Sequence, residues 1–263
     1  TIKTKSLINK ITIQEIKNFK NKKDPFVALT AYDCVSAQVC DDAEIPVVLV
    51  GDSASMVVFG YDTTIPVSME EMLLVVKAVS RSNKTSLIVA DLPFLSYQAS
   101  IEQTILNAGL LIKNGGAGAV KLEGGQNMAS QIESLVGVGI PVMGHVGLTP
   151  QSFHQLSGYK IQGKTPDDAK KIIDDARAVE NSGAFSVVLE CIPENLAEEI
   201  TALLSIPTIG IGSGLKCDGQ IQVYHDIMGL SKEKPPKHAM QKDSLYTKML
   251  RAAKNYKKDI QKS

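Results

Sequence analysis

The sequence predicts a (β/α)₈ barrel, in which eight parallel strands alternate with helices. Its 263 residues, 44% of them hydrophobic, suit a single domain of this kind. Short runs rich in Val, Ile, Leu and Ala alternate with longer amphipathic segments, a pattern typical of buried parallel strands joined by crossover helices. Eight such runs occur. Because strand number alone does not show closure, a doubly wound open sheet is the alternative.

The predicted elements follow one another along the chain. Apolar runs predict strands at residues 27–31, 47–51, 87–91, 119–123, 141–146, 185–190, 207–211 and, less clearly, 222–226. Apolar residues at helical spacing predict helices at residues 34–43, 68–81, 101–114, 129–136, 166–181 and 194–204. At the start of the second of these helices, Ser68 precedes Glu71 by three residues, which is the spacing of a capping box.

The two ends of the chain differ from the alternating pattern between them. We expect one domain, residues 1–263, with an N-terminal helical extension at about 1–24 and a C-terminal tail at about 231–263. The tail is basic and polar and is interrupted by Pro235 and Pro236. It should form a loop and a terminal helix packed on the outside of the barrel.

Charge, hydropathy and cysteine spacing exclude several classes of function. The 28 Lys and Arg residues balance 28 Asp and Glu residues, so no basic surface favours nucleic acid or an anionic membrane. No run of about 18 apolar residues and no signal sequence is present. The four cysteines lack C-x-x-C or metal-finger spacing, so free thiols are expected. These features predict a soluble cytoplasmic protein that acts on small molecules.

Ionisable residues end, or directly follow, five of the predicted strands: Asp52, Asp91, Glu123, His145 and Glu190. The carboxyl ends of parallel barrel strands meet at one rim, where barrel enzymes place their chemistry. A single Asp in such a position also fits a helix cap or a turn. Several like charges at one rim, however, would be costly to desolvate unless a cation compensated them.

The residue types at this rim indicate a hard divalent cation. Asp52, Asp91 and Glu123 offer oxygen ligands and no Cys/His cluster accompanies them, so Mg²⁺ fits better than zinc. Lys121 lies two residues before Glu123 on the same strand face, either to bind substrate or to form a structural ion pair. His145 could donate to a substrate oxygen or satisfy a backbone carbonyl.

Other polar features carry weaker signals. The glycine-rich stretch 210–214 follows a strand but lacks full G-x-G-x-x-G spacing and a Walker lysine, so it is a weak nucleotide motif. Its backbone amides could hold a carboxylate or line the substrate entrance. His154, His225 and His238 are interpreted as structural or exposed.

Eight stretches of the sequence form an ordered series: ALTAYD (28–33), VGDSASMVVFGYDTTIPVSMEEM (50–72), VADLPFLSYQ (89–98), AVKLEGG (119–125), GHVGLTPQS (144–152), GYKIQGK (158–164), VVLECIP (187–193) and IPTIGIGSGLKCDGQIQVYHDIMGL (206–230). The series, which runs from about Leu29 to His238, resembles the ketopantoate hydroxymethyltransferase family. A chain of motifs in this order is far more specific than any one motif.

This resemblance implies a barrel of the phosphoenolpyruvate/pyruvate group, Mg²⁺ dependence and a step in pantothenate synthesis. The implied reaction transfers a hydroxymethyl group from 5,10-methylenetetrahydrofolate to 3-methyl-2-oxobutanoate through a metal-stabilised enolate, giving 2-dehydropantoate. Chelation of a cation by the 2-oxo and carboxylate oxygens would stabilise that enolate. Family members commonly form decamers, so a homo-oligomer is expected.

The same resemblance implies a role for each residue in a matching motif. Asp52 and Asp91 would bind Mg²⁺ and the chelating substrate, while Glu123 would hold a metal-bound water or the metal itself.

The remaining motif residues would act on the substrate. Ser53 would hydrogen-bond the substrate carboxylate, and Lys121 and His145 would contact substrate oxygens. Glu190, at the end of an apolar strand, would be the base that removes the C3 proton.

Two departures from the family pattern are present. Ala54 and Ser55 stand where the family usually shows Leu-Gly, which would alter loop packing without removing a ligand. The segment after His238 also departs from the usual pattern and ends early. If it covers the folate or stabilises the oligomer, activity or assembly would be weakened.

Two other functions remain as alternatives. A Mg²⁺-dependent C–C lyase or mutase acting on another 2-oxo acid would be expected to carry a cysteine in a K-K-C-G-H-type loop, and the sequence has no such loop. A non-catalytic barrel would be favoured by loss of Asp52, Asp91 or Glu190, and all three are present.

Overall fold

The structure, a computed structural model, is a closed barrel of eight parallel strands arranged in chain order. It describes residues 10–20, 22–156, 158 and 160–262. Strands β1 to β8 are Phe26–Thr30, Val47–Val50, Leu87–Asp91, Ala119–Lys121, Val142–Gly147, Ser186–Glu190, Thr208–Ile211 and Gly219–Gln222. The last strand pairs with the first, with Phe26 opposite Gly219. This pairing confirms the barrel and rules out the open sheet.

The helices lie mainly between successive strands. Within the described residues, α1 to α11 are Ile13–Lys17, Cys34–Asp42, Ala54–Val57, Met69–Ser82, Ile101–Lys113, Ala129–Gly137, Phe153–Leu156, Pro166–Asn181, Glu194–Leu203, Tyr224–Met228 and Leu245–Lys262. All six helices predicted from the sequence are present. Ser68 and Glu71 form the predicted capping box at the start of α4, in which the side chain of each residue accepts a hydrogen bond from the backbone N–H of the other.

The eighth strand was predicted in the wrong place. It spans Gly219–Gln222 rather than residues 222–226, and residues 224–228 form the short helix α10. Short apolar runs fit a strand and a buried helix equally well, which explains the error. The close approach of β8 to β1 also depends on Gly219, where a Cβ atom would lie 2.6 Å from the Phe26 ring.

The alternation of side chains along the strands creates two hydrophobic cores. One fills the barrel interior and includes Met143 and Val188, whereas the other lies between the strands and the surrounding helices. Successive residues of a strand point to opposite faces. His145 and Glu190, each two residues beyond one of these interior side chains, therefore also point inward. The inward-pointing positions are therefore apolar in the middle of the barrel and polar at its carboxyl end.

The short helix α1 closes the amino end of the barrel. Ile16 is fully buried and belongs to the interior core. Just beyond the helix, Lys20 donates from Nζ to the Asp218 carboxylate at 3.0 Å and to the Thr201 carbonyl at 2.5 Å. The part of the expected N-terminal extension at residues 1–9 lies outside the described residues.

The C-terminal tail has its predicted terminal helix, α11, but not the predicted packing. Every side chain at residues 247–261 is exposed, so this part of α11 is not buried against the barrel. Its first turn is anchored because the Tyr246 backbone N–H donates to the Gly229 carbonyl at 2.9 Å. The expectation of a helix packed on the outside of the barrel was wrong.

The other expectations from composition can be compared with the described residues. All four cysteines are free thiols, as predicted, and three of them are buried. No helix in the described ranges has both the length and the apolar character needed to cross a membrane.

Replacing Ile16 by Ala should destabilise the fold by about 2–5 kcal/mol, because it removes a buried side chain from the interior core and leaves a cavity. Urea unfolding followed by circular dichroism measures the change. The matched control is Ile101→Ala at a site that is 42% exposed, which should have a much smaller effect. Equal effects of the two substitutions would show that α1 does not seal the barrel core.

Candidate active site

The residues predicted at the strand ends lie together at the carboxyl end of the barrel. Two of them, Asp52 and Asp91, form a first buried group with Lys121. The backbone N–H of Asp52, just after β2, donates to Asp91 Oδ2 at 3.0 Å. Lys121 Nζ donates to Asp91 Oδ1 at 2.5 Å. Strand register explains this contact, because Asp91 and Lys121 are directly paired between β3 and β4. The ion pair of Lys121 therefore runs across neighbouring strands rather than along β4 to Glu123.

A second group places an imidazole between two carboxylates. His145 Nδ1 lies 3.5 Å from Glu123 Oε1, and His145 Nε2 lies 3.1 Å from Glu190 Oε2. The distances suit ion pairs, but neither ring nitrogen has a hydrogen bond of good geometry, and Glu123 Oε1 also lacks one. The Glu190 side chain is 15% exposed, whereas the other two are 3% exposed. Of this group, Glu190 is the most accessible to a ligand.

Burial and crowding shift the ionisation of the site. Burial, followed by the charges of Asp91 and Glu123, raises the pKa of Asp52 well above its usual range. Burial and the Lys121 charge oppose protonation of His145, but Glu123 and Glu190 outweigh them and raise its pKa to about 9. The Lys121 pKa is also raised, because nearby carboxylates, Asp91 foremost, outweigh the effect of burial. Both cationic side chains are therefore charged at neutral pH.

Two uncharged residues that the sequence analysis did not select connect the groups. Gln151 Nε2 donates to Asp52 Oδ2 at 2.9 Å, and the Gln151 backbone N–H donates to Glu123 Oε2 at 3.0 Å. The Tyr97 hydroxyl donates to Gln151 Oε1 at 2.7 Å. Both residues lie in loops that follow strands, within the stretches VADLPFLSYQ and GHVGLTPQS. A search limited to ionisable strand ends could not select them.

Ser53 lies at the edge of the first group and is only partly buried. Its Oγ is 2.7 Å from the Tyr32 hydroxyl, and the Tyr32 ring meets the His225 ring edge-on with centroids 5.3 Å apart. Burial is the main reason that the Tyr32 pKa is raised. Tyr32 stays protonated near neutral pH and can donate a hydrogen bond at this position.

One glycine permits two strand ends to approach closely. Gly147 has φ +93°, and a Cβ atom there would lie 2.4 Å from the Glu190 carbonyl oxygen. A larger residue would therefore be strained in its backbone and would displace the segment that carries Glu190. The absence of a side chain at Gly147 thus allows the segment that carries Glu190 to lie close to the end of β5.

The weaker sequence features lie outside the carboxylate cluster. Directly after the glycine-rich stretch 210–214, the backbone N–H of Leu215 donates to Glu194 Oε1 at 3.0 Å, so this amide binds a carboxylate of the protein itself. Ser55, at the departure from the family pattern, is fully buried and donates from Oγ to the Thr63 carbonyl at 2.6 Å. At this position the Ser55 side chain therefore makes a contact within its own loop.

The donor set at the barrel rim fits a divalent cation. Four carboxylates face one ammonium and one imidazolium, so full ionisation leaves two negative charges uncompensated. Glu123 Oε1 is a buried oxygen without a hydrogen bond. Within the described ranges, however, no three His, Cys, Asp or Glu side chains are already arranged around a metal position. A cation here would need water and substrate oxygens to complete its coordination, as is usual for Mg²⁺.

Comparison with known proteins decides the family. The family model described as ketopantoate hydroxymethyltransferase matches residues 10–263. The chain belongs to the ketopantoate hydroxymethyltransferase family. Among similar relatives of this family is the 3-methyl-2-oxobutanoate hydroxymethyltransferase of Dehalococcoides mccartyi strain CBDB1, 51% identical over 251 residues, covering 95% of this chain and 90% of the relative. The enzyme of the same name from Thermosipho melanesiensis is 51% identical over 250 residues, covering 95% and 94%.

Solved structures with low sequence identity share the fold of this hydroxymethyltransferase family member. A phosphonopyruvate hydrolase solved with oxalate and Mg²⁺ matches with a TM-score of 0.59 and 13% identity, covering 81% of this chain and 79% of that one. An oxaloacetate acetylhydrolase solved with its product oxalate matches with a TM-score of 0.61 and 14% identity, covering 81% and 80%. These similarities concern the fold alone.

The ionisation of His145 should make the stability of the metal-free protein depend on pH. Its pKa is about 9 when folded and near 6.5 when unfolded, so the stabilisation is complete below pH 6.5 and is lost as pH rises through 9. His145→Gln should remove this dependence. Urea midpoints in EDTA at pH 6, 7.5 and 9.5 measure it, with the exposed His154→Gln as control. A difference between wild type and His145→Gln that does not change with pH would contradict the assignment.

Proposed function

We propose that this protein transfers a hydroxymethyl group from 5,10-methylenetetrahydrofolate to 3-methyl-2-oxobutanoate, with water, to form 2-dehydropantoate. Family membership and the activity named for the similar relatives support the reaction. The observation that carries the proposal is the placement of His145 between Glu123 and Glu190, beside the Asp52–Asp91–Lys121 group. Together these groups offer oxygen ligands, hydrogen-bond donors and one accessible carboxylate.

Asp52 and Asp91 would hold Mg²⁺, and Glu123 would hold it directly or through water. The excess negative charge of the cluster and the unsatisfied Glu123 Oε1 support this assignment. Phosphonopyruvate hydrolase, an enzyme of similar fold, was solved with oxalate and Mg²⁺. Oxalate resembles a 2-oxo acid in having two oxygens that can chelate a metal ion. When bound, the cation would stabilise negative charge developing on the 2-oxo oxygen of the substrate.

The chain's own residues would orient the substrate and move its proton. Ser53, at the edge of the cluster, would donate to the substrate carboxylate, while Lys121 and His145 would donate to substrate oxygens. Glu190, the most exposed carboxylate of its group, would take the proton from C3. The enolate carbon would then form a bond to the methylene carbon of the folate, the bonds from that carbon to the folate nitrogens would break, water would supply the hydroxyl group, and tetrahydrofolate would leave. Imidazolium beside Glu190 would keep this carboxylate oriented before the substrate arrives.

We also propose a cytoplasmic homo-oligomer, a decamer by resemblance to the family. The diffusible substrates support the location. The exposed apolar side chains of α11 support self-association, since Met249 is 59% and Tyr256 71% exposed. These two positions, seven residues apart, lie on the same face of the helix, and a continuous exposed apolar stripe is typical of a surface that meets another chain.

Replacing Glu190 by Gln should abolish exchange of the C3 proton of 3-methyl-2-oxobutanoate while leaving metal-dependent binding of this acid largely intact. The amide keeps the size of the side chain but cannot accept the proton. Proton NMR in D₂O follows exchange, and calorimetry follows binding. Glu198→Gln, on the exposed face of α9, is the matched control and should exchange normally. Wild-type exchange by Glu190→Gln would remove Glu190 from the role of base.

Replacing Tyr256 by Asp should lower the oligomeric state, because it places a charge in the middle of the exposed apolar stripe of α11. Light scattering after size-exclusion chromatography measures the mass. Lys254→Asp introduces the same residue nearby but outside the stripe and should retain the oligomer. An unchanged mass for Tyr256→Asp would exclude this face of α11 from the interface.

A further inference from the structure

The side-chain amide of Gln151 is buried and uses all of its hydrogen-bonding capacity at the site. Nε2 donates to Asp52 Oδ2 and to the Leu92 carbonyl, both at 2.9 Å. Oε1 accepts from the Tyr97 hydroxyl at 2.7 Å and from Gln98 Nε2 at 3.3 Å. These partners fix the orientation of the amide. A carboxylate and a carbonyl oxygen can only accept hydrogen bonds, so the NH₂ group must face Asp52 and Leu92, and Oε1 accepts from the Tyr97 hydroxyl.

The backbone of Gln151 makes a second contact with the carboxylates. Pro150 begins a short 3₁₀ turn, so the N–H of Gln151 has no partner within the turn. This N–H donates to Glu123 Oε2 at 3.0 Å. One residue therefore supplies one donor to Asp52 and one to Glu123, which belong to different groups of the cluster.

Tyr97 holds the Gln151 amide from the other side. Its ring is buried, and its hydroxyl accepts from the Glu123 backbone N–H at 3.1 Å while donating to Gln151 Oε1. The Tyr97 carbonyl accepts from Thr104 Oγ1 on α5 at 2.8 Å, which ties the loop to the barrel. The position of Gln151 is thus set by packed and hydrogen-bonded groups rather than by a flexible loop.

We propose that Gln151, held by Tyr97, is a positioning residue that fixes the carboxylates of Asp52 and Glu123 relative to each other before substrate binds. Each donated N–H binds one oxygen of its carboxylate, Oδ2 of Asp52 or Oε2 of Glu123, and leaves the other oxygen unused by Gln151. Hydrogen bonds of this kind orient ligands in many metal sites, and their loss typically costs about 10–100-fold in metal affinity or activity. The proposal rests on the proposed function, because it assigns Asp52 to the cation.

The test uses Gln151→Met, which keeps the length of the side chain and removes its amide. Binding of Mn²⁺ to the full chain is measured by electron paramagnetic resonance, together with kcat and KM for the transfer reaction. Mn²⁺ affinity should fall about 10–100-fold and the spectrum of bound Mn²⁺ should broaden, because the ligands no longer share one geometry. Tyr97→Phe should change both in the same direction but less, since Gln98 still donates to the amide.

Asn83→Leu is the matched control, because it also removes a buried amide with its hydrogen bonds. Asn83 caps the C-terminus of α4 and bonds to Ala37 and Ser86, away from the carboxylates. It should lower the unfolding midpoint without changing Mn²⁺ affinity.

The possible outcomes separate the two proposals. If folded Gln151→Met binds Mn²⁺ within twofold of wild type with an unchanged spectrum, Gln151 is not a positioning residue. Equal loss of Mn²⁺ affinity in Gln151→Met and Asn83→Leu would also overturn the role, because it would trace the loss to general destabilisation. If wild type itself binds no Mn²⁺ and does not exchange the C3 proton, the proposed function fails instead.

Discussion

Repulsion among four carboxylates in one small buried volume is the constraint to which the rest of the site responds. Asp52 illustrates its strength, because burial and the charges of Asp91 and Glu123 raise its pKa well above the usual range. Lys121 compensates one carboxylate directly, and His145 lies between two others. With all four carboxylates ionised, two negative charges remain, and a divalent cation would neutralise them. The ion pairs of the rim alone do not neutralise its carboxylates. We therefore expect the rim to bind a divalent cation.

The barrel separates this costly arrangement from the parts that stabilise the fold. Interior side chains such as Met143 and Val188 form the hydrophobic core, and α1 closes its amino end with Ile16. Inward-pointing positions become charged where the strands reach the opposite rim, as at His145 and Glu190. In a (β/α)₈ barrel the amino end usually contributes to stability, and the carboxyl end carries the active site. At this rim Gly147 allows the close approach of the segment that carries Glu190.

Elementary rules applied to the sequence identify most of this arrangement. Strand period and parallel direction place Asp91, His145 and Glu190 on one rim without knowledge of the tertiary structure. They do not locate Gln151, because its contacts depend on how two loops fold over the rim. The start of β8 was missed because a short apolar run fits strand and helix equally. The exposure of α11 was missed because the amphipathic pattern of a helix does not say whether its apolar face meets the same chain.

We propose that the clustered residues use a divalent cation to acidify the C3–H bond of a 2-oxo acid. The most direct measurement is proton NMR of 3-methyl-2-oxobutanoate in D₂O with the protein and Mg²⁺, with and without EDTA, followed by addition of methylenetetrahydrofolate. The C3–H signal should be lost only when Mg²⁺ is available, and 2-dehydropantoate should form when the folate is added. Absence of exchange with this acid, while another 2-oxo acid exchanges or is cleaved, would contradict the proposal.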